Sequence, residues 1–402
     1  MALMREIPTV AAAVVLTVLV LSAVWFAYQV EQAFATPGEH LDFQVVSSAA
    51  ARIRAGLDPY DIAAMKRTPF DELYKYPPFV GSVMRLGLIA GSPGLANLWM
   101  AASLVFYAVT FIMILGIDGL KLVSIKSGVL AIAFFGWLPS IQTIQEGQQE
   151  YLILLLFTMA CWAATSSPVR HTVAGSCIAL CAIIKIYPAF FLLDFLLRRR
   201  WMSIAAFAAA FAALTVISIR LSWFGLQREF WFGVLPTLSG ATAYPNNQSL
   251  LAFFMRLFVN GATADWARAA VMPLASALYH AACAAVVAVS AAALFRSADP
   301  RDGFKILLPA MVMMTPDSWI YYEQVLLLPF GLLLGPCSRQ TSLAFWLPFG
   351  LATLLVALGD EDDVLNTASG LIQSYKFFGI LLFWLLGLVT VTKQSPPRMQ
   401  AS

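Results

Sequence analysis

Lys185 stands inside the apolar run CAIIKIYPAFFLLDFLLRRR, residues 181–200. An ammonium group in such a run is costly and generally faces a functional cavity or a counter-ion. As a point-charge phosphate binder it points to an anionic ligand. The alternative is a buried ion pair with Glu150 or Glu323. A second candidate is Asp42, which precedes the apolar-periodic residues Val45, Val46, Ala49, Ala50 and Ile53. It is read either as a helix cap or as a general base at the mouth of a cleft. Lys75, Tyr76, Gln148, Glu150, Tyr187, Asn246, Asn247, Gln248, Asp317, Trp319 and Glu323 join Asp42 and Lys185 on one side of the spanning scheme that follows. Asn247 and Gln248 suit sugar hydroxyls or the cap of a helix beginning near Ser249. Trp319 suits stacking on a sugar or anchoring at a membrane interface. Arg52 and Lys75 are further phosphate candidates, with surface charge as the alternative.

The elements that must position these groups are membrane helices. Hydrophobic residues make up 60% of the 402-residue chain and charged ones only 12%; a soluble domain carries about 25% charged residues. Many runs approach the roughly 20 apolar residues that span a bilayer. Their number requires helices, which satisfy their own backbone. The reading is a single all-α polytopic membrane domain over 1–402, of about 11 to 13 membrane or half-membrane helices. Expected segments are 7–28, 95–117, 128–144, 148–165, 172–184, 188–197, 201–221, 268–295, 304–320, 321–336, 342–358 and 369–392. Segment 79–91 is left open between a crossing and a re-entrant turn. Segment 7–28 is longer than a signal-peptide core and ends in Trp25, Phe26 and Tyr28, so it reads as a retained first span.

Clusters of Lys and Arg mark the cytoplasmic side: Lys121/Lys126, Arg170, Arg198–Arg200, Arg296/Arg301/Lys305, Arg339 and the tail. Arg170 and Arg198–Arg200 flank one apolar run. For both to share a side, the run must go out and return. Pro188 is the natural breaker, which puts Lys185 near the turn. The segments 128–144 and 148–165 read as a similar pair meeting at Glu146–Glu150. Outer loops are expected at 31–78, with an amphipathic helix along the membrane surface, and at 222–249. The five cysteines show no metal or disulfide spacing. Asp360–Asp363 reads as a solvated loop. The net charge of +3 is small, and no nucleic-acid partner is expected.

The order of motifs resembles glycosyltransferase family 87, within the GT-C superfamily. The pieces are Asp42 with the Ala-rich helix and Gly56-x-Asp58-Pro59-Tyr60; Tyr76-Pro77-Pro78; Gly147-Gln148; Lys185-x-Tyr187-Pro188 before the basic triplet; Asn247-Gln248-Ser249; and Pro316-x-Ser318-Trp319. The resemblance implies a GT-C-like helical bundle in a bacterial inner membrane. It further implies transfer of a hexose or pentose, mannose foremost, from a polyprenyl-phosphate donor to a lipid or glycan acceptor on the extracytoplasmic face. An acid of the first outer loop acts as base in this picture, which falls on Asp42. Lys185, Tyr187, Gln148, Glu150, Tyr76, Lys75, Arg52, Asn247, Gln248, Trp319 and Glu323 are then expected around substrate, with no cofactor and no metal. Two positions depart from the pattern: Glu150 where the family often has Asn, and Tyr321-Tyr322-Glu323 where it often has His. A polytopic transporter or flippase of a lipid-linked or small anionic substrate is the alternative.

Overall fold

The structure is a computed structural model of the chain. It describes residues 3–36, 40–61, 74–87, 93–166, 170–239, 242–258, 272–335, 342–359 and 368–394. Asp360–Asp363 and Cys337 lie outside them. Among the described residues the chain is helical, with one isolated antiparallel bridge between Asn247 and Trp319. Four long helices, one bent pair and six shorter apolar helices are long or apolar enough to build a membrane bundle. The chain is a multi-pass membrane protein.

The long helices are α1 (Leu3–Ala35), α4 (Pro93–Asp118), α10 (Trp201–Leu221) and α13 (Pro273–Arg296), the last two separated by the short α11 (Phe224–Arg228) and α12 (Leu250–Phe258). Each exposes large apolar side chains, such as Leu21 and Val24 on α1 and Leu98 and Ile112 on α4. Lipid is the medium in which such a surface is stable. Helix α1 reaches beyond the expected 7–28. The expected single segment 128–144 is broken at Trp137 into α5 (Ile125–Gly136) and α6 (Leu138–Gln145), bent by 41°. Pro139 occupies the first turn of α6, where its missing N–H costs least, and so starts a new helix instead of continuing α5.

Three hairpins follow, each with its turn pointing the same way. The first joins α6 to α7 (Glu150–Ser166) through Glu146–Gln149. The second runs out along α8 (His171–Ile184), opens into extended backbone at Lys185, and returns through a 3-10 turn (Tyr187–Phe191) and α9 (Leu192–Leu197). The ends of that run meet. Ser203 Oγ, at the start of α10, donates to His171 O at 2.8 Å, and a Cβ on Gly175 would lie 2.0 Å from Ser203 O. The out-and-back reading of 172–197 is therefore the observed one. The third hairpin is α14 (Arg301–Met314), a turn at Thr315–Trp319, a 3-10 stretch (Ile320–Leu326) and α15 (Leu327–Leu334). Helix α14 stops immediately before Pro316, whose ring disfavours helix in the preceding residue.

The basic ends of the hairpins gather opposite their tips. Arg198 donates to Asp194 at 2.6 Å and to Ser297 O at 3.1 Å. Lys305 pairs with Asp302 at 3.0 Å, and Lys126 donates to Leu334 O at 2.6 Å. The core between them is aromatic and aliphatic, with Phe157, Phe191, Phe195 and Phe304 fully buried. Helices α16 (Leu343–Ala357) and α18 (Tyr375–Gln394), with a short α17 (Gly370–Gln373) between them, close the bundle.

The outer loop supplies a lid to the tips. Helix α2 (Leu41–Arg54) buries all five residues of the expected apolar face, together with Phe43. That face packs on protein: on α3 (Pro78–Gly87), which occupies the segment left open by sequence, on Tyr60 and Tyr74, and on Leu226 and Phe230. A bed of protein thus takes the place of the membrane surface expected beneath α2. Residues 88–92 lie outside the described residues.

Candidate active site

Glycine builds the joint on which the site depends. Gly147 holds φ +66°, the left-handed region that a side chain rarely adopts. A Cβ there would sit 2.8 Å from Phe43 Cβ and 3.3 Å from His40 Cβ. The first turn of α2 therefore lies directly on the first hairpin tip. Phe43 N donates to Glu146 O at 3.2 Å, and the His40 ring bonds Gln145 O. Trp99 Nε1 holds Gly147 O from the other side at 2.9 Å. Asp42 is the second residue of α2. His40 occupies the capping position and makes no side-chain cap, so Asp42 is not the N-cap.

A cavity of about 580 Å³ opens between α2, residues 75–77 and the three hairpin tips. Asp42, Lys75, Tyr76, Lys185, Tyr187, Asn246, Asp317 and Trp319 line it, as do Glu146, Tyr321 and Tyr322. Gln142 and Thr315 add polar groups, and much of the remaining wall is apolar, from Leu41, Val45, Ile186, Phe190, Leu235, Met311 and Met314. Asp42 and Lys185, 143 positions apart in sequence, thus border one chamber.

Lys185 is only 4% exposed and forms a direct ion pair with Glu150, which is fully buried. Its ammonium also donates to Gln148 Oε1 at 3.0 Å. Three tyrosine rings surround it, with centroids at 4.2 Å (Tyr322), 5.0 Å (Tyr321) and 5.4 Å (Tyr76). These distances fall within the range in which a ring face attracts a cation. Tyr187 stacks on Tyr322 at 5.0 Å. Its hydroxyl is buried with no hydrogen-bond partner among the described residues. Both departures from the family pattern are thereby accounted for: Glu150 is the counter-ion, and the tyrosines after Trp319 are the cage. The alternative of a structural ion pair at Lys185 is realised with Glu150, while the lysine still reaches the cavity wall.

The network continues to the acid. Tyr76 Oη lies 3.2 Å from Gln148 Nε2 and donates to Asp42 Oδ1 at 3.4 Å. Burial raises the Asp42 carboxyl above its ordinary range, and Lys185, Gln148, Lys75 and Tyr76 pull it back down. A carboxylate poised this way is a competent proton acceptor. Lys75 is the more open cation. Its side chain is 32% exposed and pairs loosely with Asp317 at 3.8 Å.

Several sequence candidates fall outside the chamber. Asn247 spends its amide on backbone: Nδ2 donates to Pro316 O at 3.0 Å and Thr242 O at 3.1 Å, while Oδ1 accepts from Ser318 N at 3.0 Å and Ser249 N at 3.2 Å. Gln248 does likewise with Gln373 O at 2.8 Å and Phe377 N at 2.8 Å. These two residues fasten the third tip to α18 instead of lining the cavity. Arg52 turns away to Asp58 O at 2.8 Å and to Asp61. Glu323 is buried in the 3-10 stretch behind the wall. Gln148 and Glu150 stand behind Lys185, one layer from the lining. The adjacency of Tyr321 and Tyr322 to the Pro-x-x-Trp motif was a usable signal for their place in the site.

The family model for glycosyltransferase family 87 matches residues 74–316, more than half of the chain. The match includes the Lys185 hairpin and the Gly147 joint, and Asp42 precedes it. A search of curated proteins finds no match. The hairpin tips, the lidded chamber and the family match lead to one conclusion: the chain belongs to glycosyltransferase family 87 and is a membrane glycosyltransferase.

Proposed function

We propose that the protein transfers a hexose or pentose, mannose first among them, from a polyprenyl-phosphate donor to a lipid or glycan acceptor. The chamber is on the extracytoplasmic side of a bacterial inner membrane, as supported by the basic clusters at the opposite ends of the hairpins. The observation that carries this reading is the shared chamber of Asp42 and Lys185, with Tyr76 and Gln148 between them.

The donor's chain lies among apolar groups such as Phe190, Leu235 and Met314, and its phosphate lies on the cationic wall. Lys75 is the cation free enough to meet phosphoryl oxygens. Lys185, matched by Glu150, adds a fixed local field. As the glycosidic bond breaks, the carrier phosphate gains negative charge, and groups fixed in advance stabilise that charge most in the transition state. Asp42 takes the proton from the acceptor hydroxyl as its oxygen attacks the anomeric carbon from the opposite face. A single displacement inverts the centre.

Membership of a transferase family speaks against the transporter alternative. The test is incubation of the purified full chain in nanodiscs with labelled polyprenyl-phosphate mannose and mixed lipid acceptors. Transfer with inversion at C1 supports the reading. Release of unchanged donor, or retention of configuration, overturns it.

A further inference from the structure

We propose that Lys185 is a positioning residue that fixes the direction of a hydrogen-bond chain ending on Asp42, with Tyr76 as the last donor. The inference rests on the reading of Asp42 as base and asks what prepares that base.

The argument is one of donors and acceptors. A lysine ammonium has three N–H donors and no acceptor. Gln148 presents two different ends, a carbonyl and an amide. With Lys185 Nζ 3.0 Å away, its carbonyl oxygen must face the lysine. The NH₂ end then donates to Tyr76 Oη, 3.2 Å away, while Oε1 itself lies 3.3 Å from the same hydroxyl. A phenol whose oxygen already accepts has its proton to give, and two acceptors lie in reach, Gln148 Oε1 at 3.3 Å and Asp42 Oδ1 at 3.4 Å. The first already accepts from Lys185, and an ionised carboxylate is the stronger acceptor, so the proton goes to Asp42. The lysine's chemistry thus sets the orientation of the Gln148 amide, and through it biases the Tyr76 proton toward Asp42. Glu150 matches its charge, so the direction is set without leaving an unpaired cation in the core.

This arrangement serves catalysis in two ways. A phenolic donor on one carboxylate oxygen holds Asp42 in its ionised, proton-accepting form, since hydrogen bonds to the charged form favour it. It also leaves the second oxygen for the acceptor hydroxyl. The ionisable groups facing Asp42 are Lys75 and Tyr76 from the stretch before α3, Glu150 and Lys185 from the first and second hairpins, and Tyr321 from the third. The two lysines, the Tyr76 hydroxyl and the un-ionised Gln148 amide favour the carboxylate. Glu150 and burial oppose it.

The test is the pH profile of kcat for the full chain in nanodiscs with polyprenyl-phosphate mannose. Tyr76→Phe keeps the ring that faces Lys185 and removes only the donor. Its acid limb is expected to move up by about one pH unit, with the donor KM held. Gln148→Met removes both the donor to Tyr76 and the direct support that Gln148 gives Asp42, and is expected to move the limb the same way and at least as far. A folded Tyr76→Phe enzyme with an unmoved limb overturns the proposal, as does a folded Gln148→Met enzyme with an unmoved limb. Wild-type turnover in Asp42→Asn would instead overturn the underlying base assignment, so the two failures are told apart.

Discussion

The ammonium of Lys185 is bonded directly to the carboxylate of Glu150 inside the bundle, at the point where two hairpin tips meet. This pair answers why a cation interrupts an apolar run. The charge is matched within the protein, and its remaining donor capacity reaches Gln148 and the tyrosine cage. The pair also joins a tip from α7 to a tip from α8, so it fixes the relative height of the two hairpins.

Breaking the pair by removing one partner is expected to be costly. Glu150→Gln strands a buried cation, for which about 3–5 kcal/mol is typical. The expected outcome is a large fall in thermal midpoint of the detergent-solubilised protein. Replacing both partners, as Glu150→Gln with Lys185→Met, should restore much of that stability. Calorimetry or a thermal-shift assay checks both.

Gly147→Ala tests the joint beneath Asp42. The residue needs a left-handed backbone, and the added methyl meets Phe43 Cβ at 2.8 Å. Strain of about 1–2 kcal/mol is small for the bundle but displaces α2, which carries the acid. Transfer is therefore expected to fall by about 100-fold, the scale of a 1 Å misplacement, with a modest change in midpoint. Steady-state transfer rates beside a melting curve separate the two effects.

Lys75→Ala removes the open cation of the chamber. A hydrogen bond to a charged group is typically worth about 1.5–3 kcal/mol, so kcat/KM for the donor is expected to drop by about one to two decades. The midpoint should hardly change, because the Lys75–Asp317 pair is loose and partly exposed. Titration of the donor at saturating acceptor is the measurement.

Asn247→Ala should behave in the opposite manner. Its amide satisfies four backbone groups around the third tip. Leaving buried groups unpaired costs about 1–3 kcal/mol each. A lowered midpoint is expected, and activity measured well below that midpoint should keep an ordinary donor KM. A selective rise in KM would return this residue to the substrate-binding set.

Part of this arrangement was legible in the sequence, for physical reasons that differ from residue to residue. The out-and-back course around Pro188 followed from charge, since Arg170 and Arg198–Arg200 had to share a side. The buried face of α2 followed from helical periodicity. The apolar run is continuous across the break at Trp137, and Pro139 is the visible cue to it. The partner of Lys185 could not be chosen, because Glu150 and Glu323 were both acidic and both mapped to the same side. Asn247 and Gln248 misled for a related reason: an amide that binds sugar and one that binds backbone look alike until the third tip is seen to pass beside them. In sequence Asp42 stands near a helix start, open between a cap and a base; the capping position belongs to His40, and the docking of α2 on Gly147 turns Asp42 to the chamber.

Asp42 also fixes the expected pH response. Burial holds its carboxyl above the ordinary aspartate range. Transfer needs the ionised form, so the rate should rise with pH through that raised value and fall on acidification. Activity retained undiminished to well below pH 4 would conflict with an Asp42 base.

The most direct measurement is the transfer rate of Asp42→Asn from labelled polyprenyl-phosphate mannose under single-turnover conditions, with folding verified by its melting curve. The account predicts a loss of about 100- to 10,000-fold, the usual contribution of a general base, with donor binding retained. A folded Asp42→Asn protein that transfers sugar at the wild-type rate would contradict it.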